Sequence, residues 1–168
     1  MKIHIIGCSG SGKSFLAKRF GAHYGLTVCD LDDIHWVNDG TYGVKRPPED
    51  RDALLREILQ RDAWIIEGSY HKWVGQCFAD ADIIYLLDMP ALLCKVRILR
   101  RFLKRKLGIE PGKKETLRSI ADLLAWVDPY HSVKMPQIED MLLPYADKTV
   151  RLTSRREVRR LLRTSGKK

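Results

Sequence analysis

The chain has 168 residues, 45 % hydrophobic and 30 % charged, a size and composition for one domain around one sizeable core that exclude a disordered or fibrous polypeptide. The formal net charge of +9 is uneven: residues 91–118 hold ten Lys/Arg against two Glu and residues 148–168 hold nine against one, leaving a mildly acidic remainder and anionic partners at particular places. No apolar run is long enough for a membrane span, the stretch before the first glycine is too short for a secretory leader, and Cys8, Cys29, Cys77 and Cys94 show no CxxC spacing; a cytoplasmic protein without a zinc or disulfide framework is expected.

The first element is an apolar run, Ile3 to Ile6, that leads into Gly7-Cys8-Ser9-Gly10-Ser11-Gly12-Lys13-Ser14. This stretch fits G-x-x-x-x-G-K-[ST] at every defined position. Glycines let the backbone curl so that successive N–H groups point at one anion. The helix that follows adds its N-terminal dipole and unpaired N–H groups. In this motif Lys13 reaches the β- and γ-phosphates of a nucleotide, and the Ser14 hydroxyl ligates Mg²⁺. Cys8 reads as a packed small residue and His4 as a core or edge histidine.

A second strand is predicted over Leu26–Cys29, with Asp30-Leu31-Asp32-Asp33 just beyond it. Ligands of parallel sheets gather at the carboxyl ends of strands. On an extended segment Asp30 and Asp32 face the same side. One suits a magnesium water and the other suits an acceptor hydroxyl, to orient or deprotonate it. Asp33 reads as the cap of the next helix. Residues 38–48 form a loop by composition, in which Arg46 and, just beyond, Arg51 are candidates for an anionic acceptor. Trp36, Tyr42, Tyr70 and Trp73 supply aromatic surfaces nearby.

A helix carrying Leu54, Leu55, Ile58 and Leu59 precedes the third strand, Trp64–Ile66. Glu67 follows it as a second group of the magnesium shell, and Gly68 is expected to leave room for substrate. The fourth strand, Asp82–Leu87, is the strongest run, and Asp88 reads as the cap of the helix after Pro90. In that helix Leu92, Val96, Leu99 and Leu103 recur at helical spacing and are expected to face the core. Arg97 and Arg101, four apart, share another face and suit a phosphate clamp, because the guanidinium is planar, forked and always charged. The loop over 107–114 is a candidate lid. The last strand, Lys148–Leu152, precedes a basic helix whose apolar side is Leu152, Val158, Leu161 and Leu162. Five short β-branched runs separated by helices imply a three-layer α/β domain with a parallel sheet.

The loop GCSGSGKS, the Asp30-Leu31-Asp32 pair, IIEG at 65–68, IIYLLDMP and the Arg97/Arg101 pair stand in the order found in the clan of P-loop kinases that includes nucleoside monophosphate, shikimate and gluconate kinases, which the chain resembles over nearly its full length. DLDDIHW, WIIEGSY and ADIIYLLDMPALLCKVRILRR look more narrowly like bacterial proteins named "DNA topology modulation protein". The resemblance implies one P-loop NTP hydrolase domain over 1–168, sheet order 2-3-1-4-5, an acceptor-binding insertion at about 32–62 and a short lid at about 101–118. It implies ATP with Mg²⁺, transfer of the γ-phosphate to a small acceptor facing Asp32, Arg97 and Arg101 near the adenine and phosphates, and Arg155 by the adenine. Adenylate kinases carry D-G-x-P-R after the third strand; Glu67-Gly68-Ser69-Tyr70-His71 lacks both the proline and the arginine. The glycine triplet of shikimate kinases is missing there as well. Two other functions fit the sequence: an ATP-binding regulator that contacts DNA through its basic segments, and an NTPase without an acceptor. The DNA reading requires one continuous basic face joining 97–106 with 151–163.

Overall fold

The computed structural model describes residues 1–37, 43–109 and 116–165. Tyr42 and residues 110–114 of the expected lid loop therefore lie outside the described residues. Five parallel strands form the sheet: β1 (Lys2–Gly7), β2 (Val28–Asp30), β3 (Trp64–Gly68), β4 (Ile83–Leu87) and β5 (Thr149–Leu152). Their order is β2-β3-β1-β4-β5, as the resemblance implies. The helices are α1 (Lys13–Tyr24), α2 (Leu31–His35), α3 (Pro48–Leu59), α4 (Gly75–Asp80), α5 (Ala91–Lys106), α6 (Leu117–Pro129), α7 (Met135–Leu142) and α8 (Arg155–Ser165). One π-helical turn, Tyr130–Lys134, joins α6 to α7.

The central strand is β1, paired with β3 on one side and β4 on the other. Ile3, Ile5 and Ile6 are buried, as are Trp64 to Ile66 of β3 and Ile84 to Leu87 of β4. This two-sided burial is why the strands read as continuous apolar runs. Pairing of β2 begins only at Val28, two residues later than the apolar run suggests, so Asp30 is the last residue of the strand.

Four local expectations are corrected. Asp30, not Asp33, caps α2: its carboxylate accepts from the Asp32 N–H at 2.9 Å. Asp32 therefore sits in the first turn of a helix rather than alternating with Asp30 along a strand. Asp88 does not cap α5. Its carboxylate takes two bonds from Arg151, at 2.6 and 3.2 Å, while the α5 N-cap is Pro90. The face that α5 buries is Cys94, Ile98 and Phe102, whereas Leu92, Val96, Leu99 and Leu103 are exposed, Leu92 to 74 %. The basic terminal helix behaves as expected: Val158, Leu161 and Leu162 pack on the core, and Arg155, Arg156, Arg159 and Arg160 are exposed. No helix among the described residues is long and apolar enough to cross a membrane.

Candidate active site

The end of β1 and the start of α1 build an anion cradle. Gly10 and Gly12 hold φ values of +78° and +105°, which side-chain-bearing residues rarely adopt. Space forbids a side chain at two positions. A Cβ on Gly7 would lie 2.5 Å from the Leu87 carbonyl oxygen, and one on Gly10 would lie 2.5 Å from that of Cys94. The ends of β4 and α5 thus press the loop from behind. Helix α1 starts at Gly12 with no side-chain cap and no acid in its first turn, leaving a positive helix end for a ligand. Lys13 is buried and donates to the Cys8 carbonyl at 3.0 Å, spanning the loop. The Ser11 hydroxyl is buried without a hydrogen-bond partner in the protein. Ser14 is exposed on the first turn of α1, and Cys8 is buried, as expected of a packed residue.

Arg97 is part of this loop rather than a neighbour of it. Its Nη1 donates to Ser11 O at 2.6 Å and Gly10 O at 3.1 Å. Burial, then the nearby charge of Arg155, lowers its proton affinity below the usual arginine value. Residues from α5 and α8 that are far apart in sequence therefore converge here. Arg101 is half-buried one turn along α5. Arg155, at the start of α8, is thus within electrostatic reach of Arg97.

Across the sheet edge stand the carboxylates. Asp30 and Glu67 are register partners on β2 and β3, and Glu67 is only 3 % exposed. Burial, then the charge of Glu67, pushes the Asp30 pKa up to about 7, against the Asp32 N–H bond that favours its ionised form. Two carboxylates held together at such a cost are the kind of group a divalent cation relieves, and an oxygen-only donor pair suits a hard cation such as Mg²⁺. Asp32 is exposed, and the Tyr70 hydroxyl donates to its Oδ1 at 2.8 Å. Tyr70 packs on His35 and Trp73, so an aromatic wall fixes the carboxylate of Asp32. Sequence reading placed Tyr70 in this wall but missed that bond, which no spacing rule connects.

Three expected substrate residues have other work. A Cβ on Gly68 would meet Leu31 atoms at 2.7 to 3.0 Å, so Gly68 admits the Leu31 side chain and leaves no substrate room. Arg46 donates from Nε to Ile34 O at 2.9 Å and from Nη2 to Trp36 O at 3.4 Å, bonds to backbone at the end of α2. Arg51 likewise pairs with Asp52 at 2.7 Å and lies 4.5 Å over the Trp73 ring. Behind the loop, His131 has one ring nitrogen 2.9 Å from Val127 O and the other 2.8 Å from Met89 O. Only the imidazolium can donate to both carbonyls. Burial opposes that form, but the two bonds prevail and raise its proton affinity.

No family model matches the chain. A protein of Bacillus subtilis (strain 168) named "Uncharacterized protein YqaC" is 27 % identical over 103 residues, spanning 61 % of this chain and 57 % of that protein. The chain thus matches little more than half the length of that relative. Two solved structures share the fold. A sugar kinase from Janibacter sp. HTCC2649, solved without ligand, aligns at TM-score 0.53 and 18 % identity over 98 % of this chain and 91 % of that one. A gluconokinase from Sinorhizobium meliloti 1021 aligns at TM-score 0.53 and 14 % identity over 98 % and 88 %. The narrower likeness to DNA topology modulation proteins has no counterpart in these three names.

Proposed function

We propose that the protein is an ATP- and Mg²⁺-dependent kinase that moves the γ-phosphate of ATP to a hydroxyl of a small acceptor. The observation that carries this reading is the facing of two half-sites across one sheet edge. A P-loop clamped by Arg97 stands at the end of β1, and the Asp30–Glu67 pair with Asp32 stands at the ends of β2 and β3. An NTPase would use the Asp30–Glu67 pair for its metal but has no need of Asp32, an exposed carboxylate oriented by Tyr70. The kinase fold of the two structural neighbours is in keeping with it, although their substrates are their own.

In this reading the α1 N-terminus and the loop N–H groups bind the phosphate chain, while Lys13 exchanges its bond to Cys8 O for the β- and γ-phosphates. Ser14, Asp30 and Glu67 would hold Mg²⁺, which when bound would neutralise phosphate charge. Arg97 fixes the loop by two backbone bonds and, with Arg101, supplies positive charge against the negative charge that develops during transfer. Asp32, oriented by Tyr70, accepts a hydrogen bond from the acceptor hydroxyl and aligns it for in-line attack. Arg155, within electrostatic reach of Arg97, is the proposed contact to the nucleotide base.

The test is ADP release by the purified protein with ATP and Mg²⁺, across nucleoside monophosphates, nucleosides, sugars and sugar acids. At least one acceptor is expected to stimulate turnover, and Lys13→Ala is expected to lower it by about 10²-fold or more. Acceptor-independent turnover alone would return the protein to the NTPase reading.

A further inference from the structure

The candidate acceptor arginines, Arg46 and Arg51, are committed to backbone carbonyls, Asp52 and Trp73. Another pair of cations, Lys72 and Lys134, is brought together by a bond across the loop after β3. His71, in the loop after β3, is 6 % exposed, and its Nε2 lies 3.2 Å from Gln137 Oε1 on α7. That bond docks the β3 loop on the segment that contains the π turn. Lys134 is three residues before Gln137, so the two side chains share a helix face. Lys72 directly follows His71. The bond therefore gathers Lys72 and Lys134 at one place, at the carboxyl edge of the sheet, where ligands of parallel sheets bind.

Lys134 is half-buried and held 4.4 Å over the Trp126 ring, which fixes a normally mobile ammonium. Burial, then the charge of Lys72, depresses its proton affinity, and the P-loop residue Cys8 is within electrostatic reach of it. Both lysines lower the proton affinity of His71 as well, after burial. Among the described residues no carboxylate forms an ion pair with Lys72 or Lys134. Two like charges brought together beside a phosphate loop, one of them partly desolvated, cost free energy that a bound anion offsets.

We infer that Lys72 and Lys134 form a subsite for the anionic group of the acceptor, a phosphate or a carboxylate, which makes the acceptor an anionic hydroxyl compound. This inference rests on the kinase reading for the word acceptor, but the anion subsite is testable without it. Inorganic phosphate and malonate are titrated calorimetrically into the Lys13→Ala protein, in which the P-loop has lost its own cation. Phosphate or malonate is expected to bind. Adding Lys134→Met or Lys72→Met should weaken that binding by about tenfold or more, the usual weight of a charge-assisted hydrogen bond, and Lys134→Arg should restore most of it. No binding of either anion, or equal binding by the methionine variants, would overturn the subsite.

The second arm uses the otherwise unaltered chain and matched acceptors: nucleoside monophosphates against nucleosides, and sugar acids against the neutral polyols. The anionic member of one pair is expected to be the better acceptor and to say which anion is meant. Its KM should rise by about tenfold or more in Lys134→Met, with a smaller fall in kcat. Equal use of charged and neutral members overturns the inference and leaves the kinase standing. Anion binding that depends on Lys134, without any acceptor-stimulated turnover, sinks the kinase and keeps the subsite.

Discussion

His4 sits on the central strand with 0 % exposure, and neither ring nitrogen has a hydrogen-bond partner. Its ring meets Phe78 edge-on at 5.1 Å. Burial lowers its pKa from 6.5 to about 3. Above pH 6.5 the histidine is neutral in both folded and unfolded chains. Between 6.5 and about 3 only the unfolded chain takes the proton, so stability falls as pH falls, with a slope of up to about 1.4 kcal/mol per unit. His4→Leu removes two buried orphan nitrogens at similar volume. It should leave stability at pH 7 unchanged or higher and flatten the acid limb. Urea unfolding at pH 7, 6, 5 and 4 reads this directly, and parallel profiles for the two proteins would refute it. The sequence shows a histidine in an apolar run and so implies burial. It does not show that both nitrogens go unpartnered, because that depends on what β3, β4 and α4 bring alongside.

At the scale of an element, α5 shows why periodicity alone is insufficient. Two apolar stripes run along it at helical spacing, and both satisfy the rule for a buried face. Tertiary placement selects Cys94, Ile98 and Phe102, because Cys94 must abut Gly10 and Arg97 must reach the P-loop carbonyls. The same rotation turns Leu99 outward, with 42 % exposure. Ile98→Ala should cost about 2–5 kcal/mol by creating a cavity, and Leu99→Ala less than about 1 kcal/mol. Chemical denaturation of the two variants checks the assignment, and a reversed ranking would return the core to the Leu92 stripe. The P-loop, in contrast, was legible in full, since all of its residues are contiguous and each answers a local demand of backbone or charge. The Asp30 cap was misassigned for a local reason too: three acids within four residues compete for one position, and the end of the β2–β3 pairing decides among them.

For the whole molecule, the sheet order was legible because it rests on five apolar runs and one early loop that the resemblance fixes to the middle strand. The grouping of Lys72 with Lys134 was not. It joins residues distant in sequence through a bond between His71 and Gln137 that neither motif nor period foretells. Charge acts at this scale as well. The net charge of +9 and the convergence of Arg97 and Arg155 on the P-loop create a positive field around its mouth. If the ligand is ATP, association should slow by about tenfold or more between low salt and 0.5 M salt, while dissociation changes less. Replacing exposed Arg156, Arg159 and Arg160 with Gln should blunt that dependence. Stopped-flow binding of a fluorescent ATP analogue measures both, and an association rate indifferent to salt would remove steering from the account.

The π turn at Tyr130–Lys134 has a consequence for descent. Such a turn carries one residue more than a regular helix path, and each residue of an α-helix advances the face by about 100°. In a relative lacking that one residue, α7 would present a different side to the β3 loop, and Gln137 could not meet His71. Membership of the two lysines in one group is therefore tied to a single insertion or deletion. Lineages with and without it would diverge in what they recognise while keeping the same P-loop.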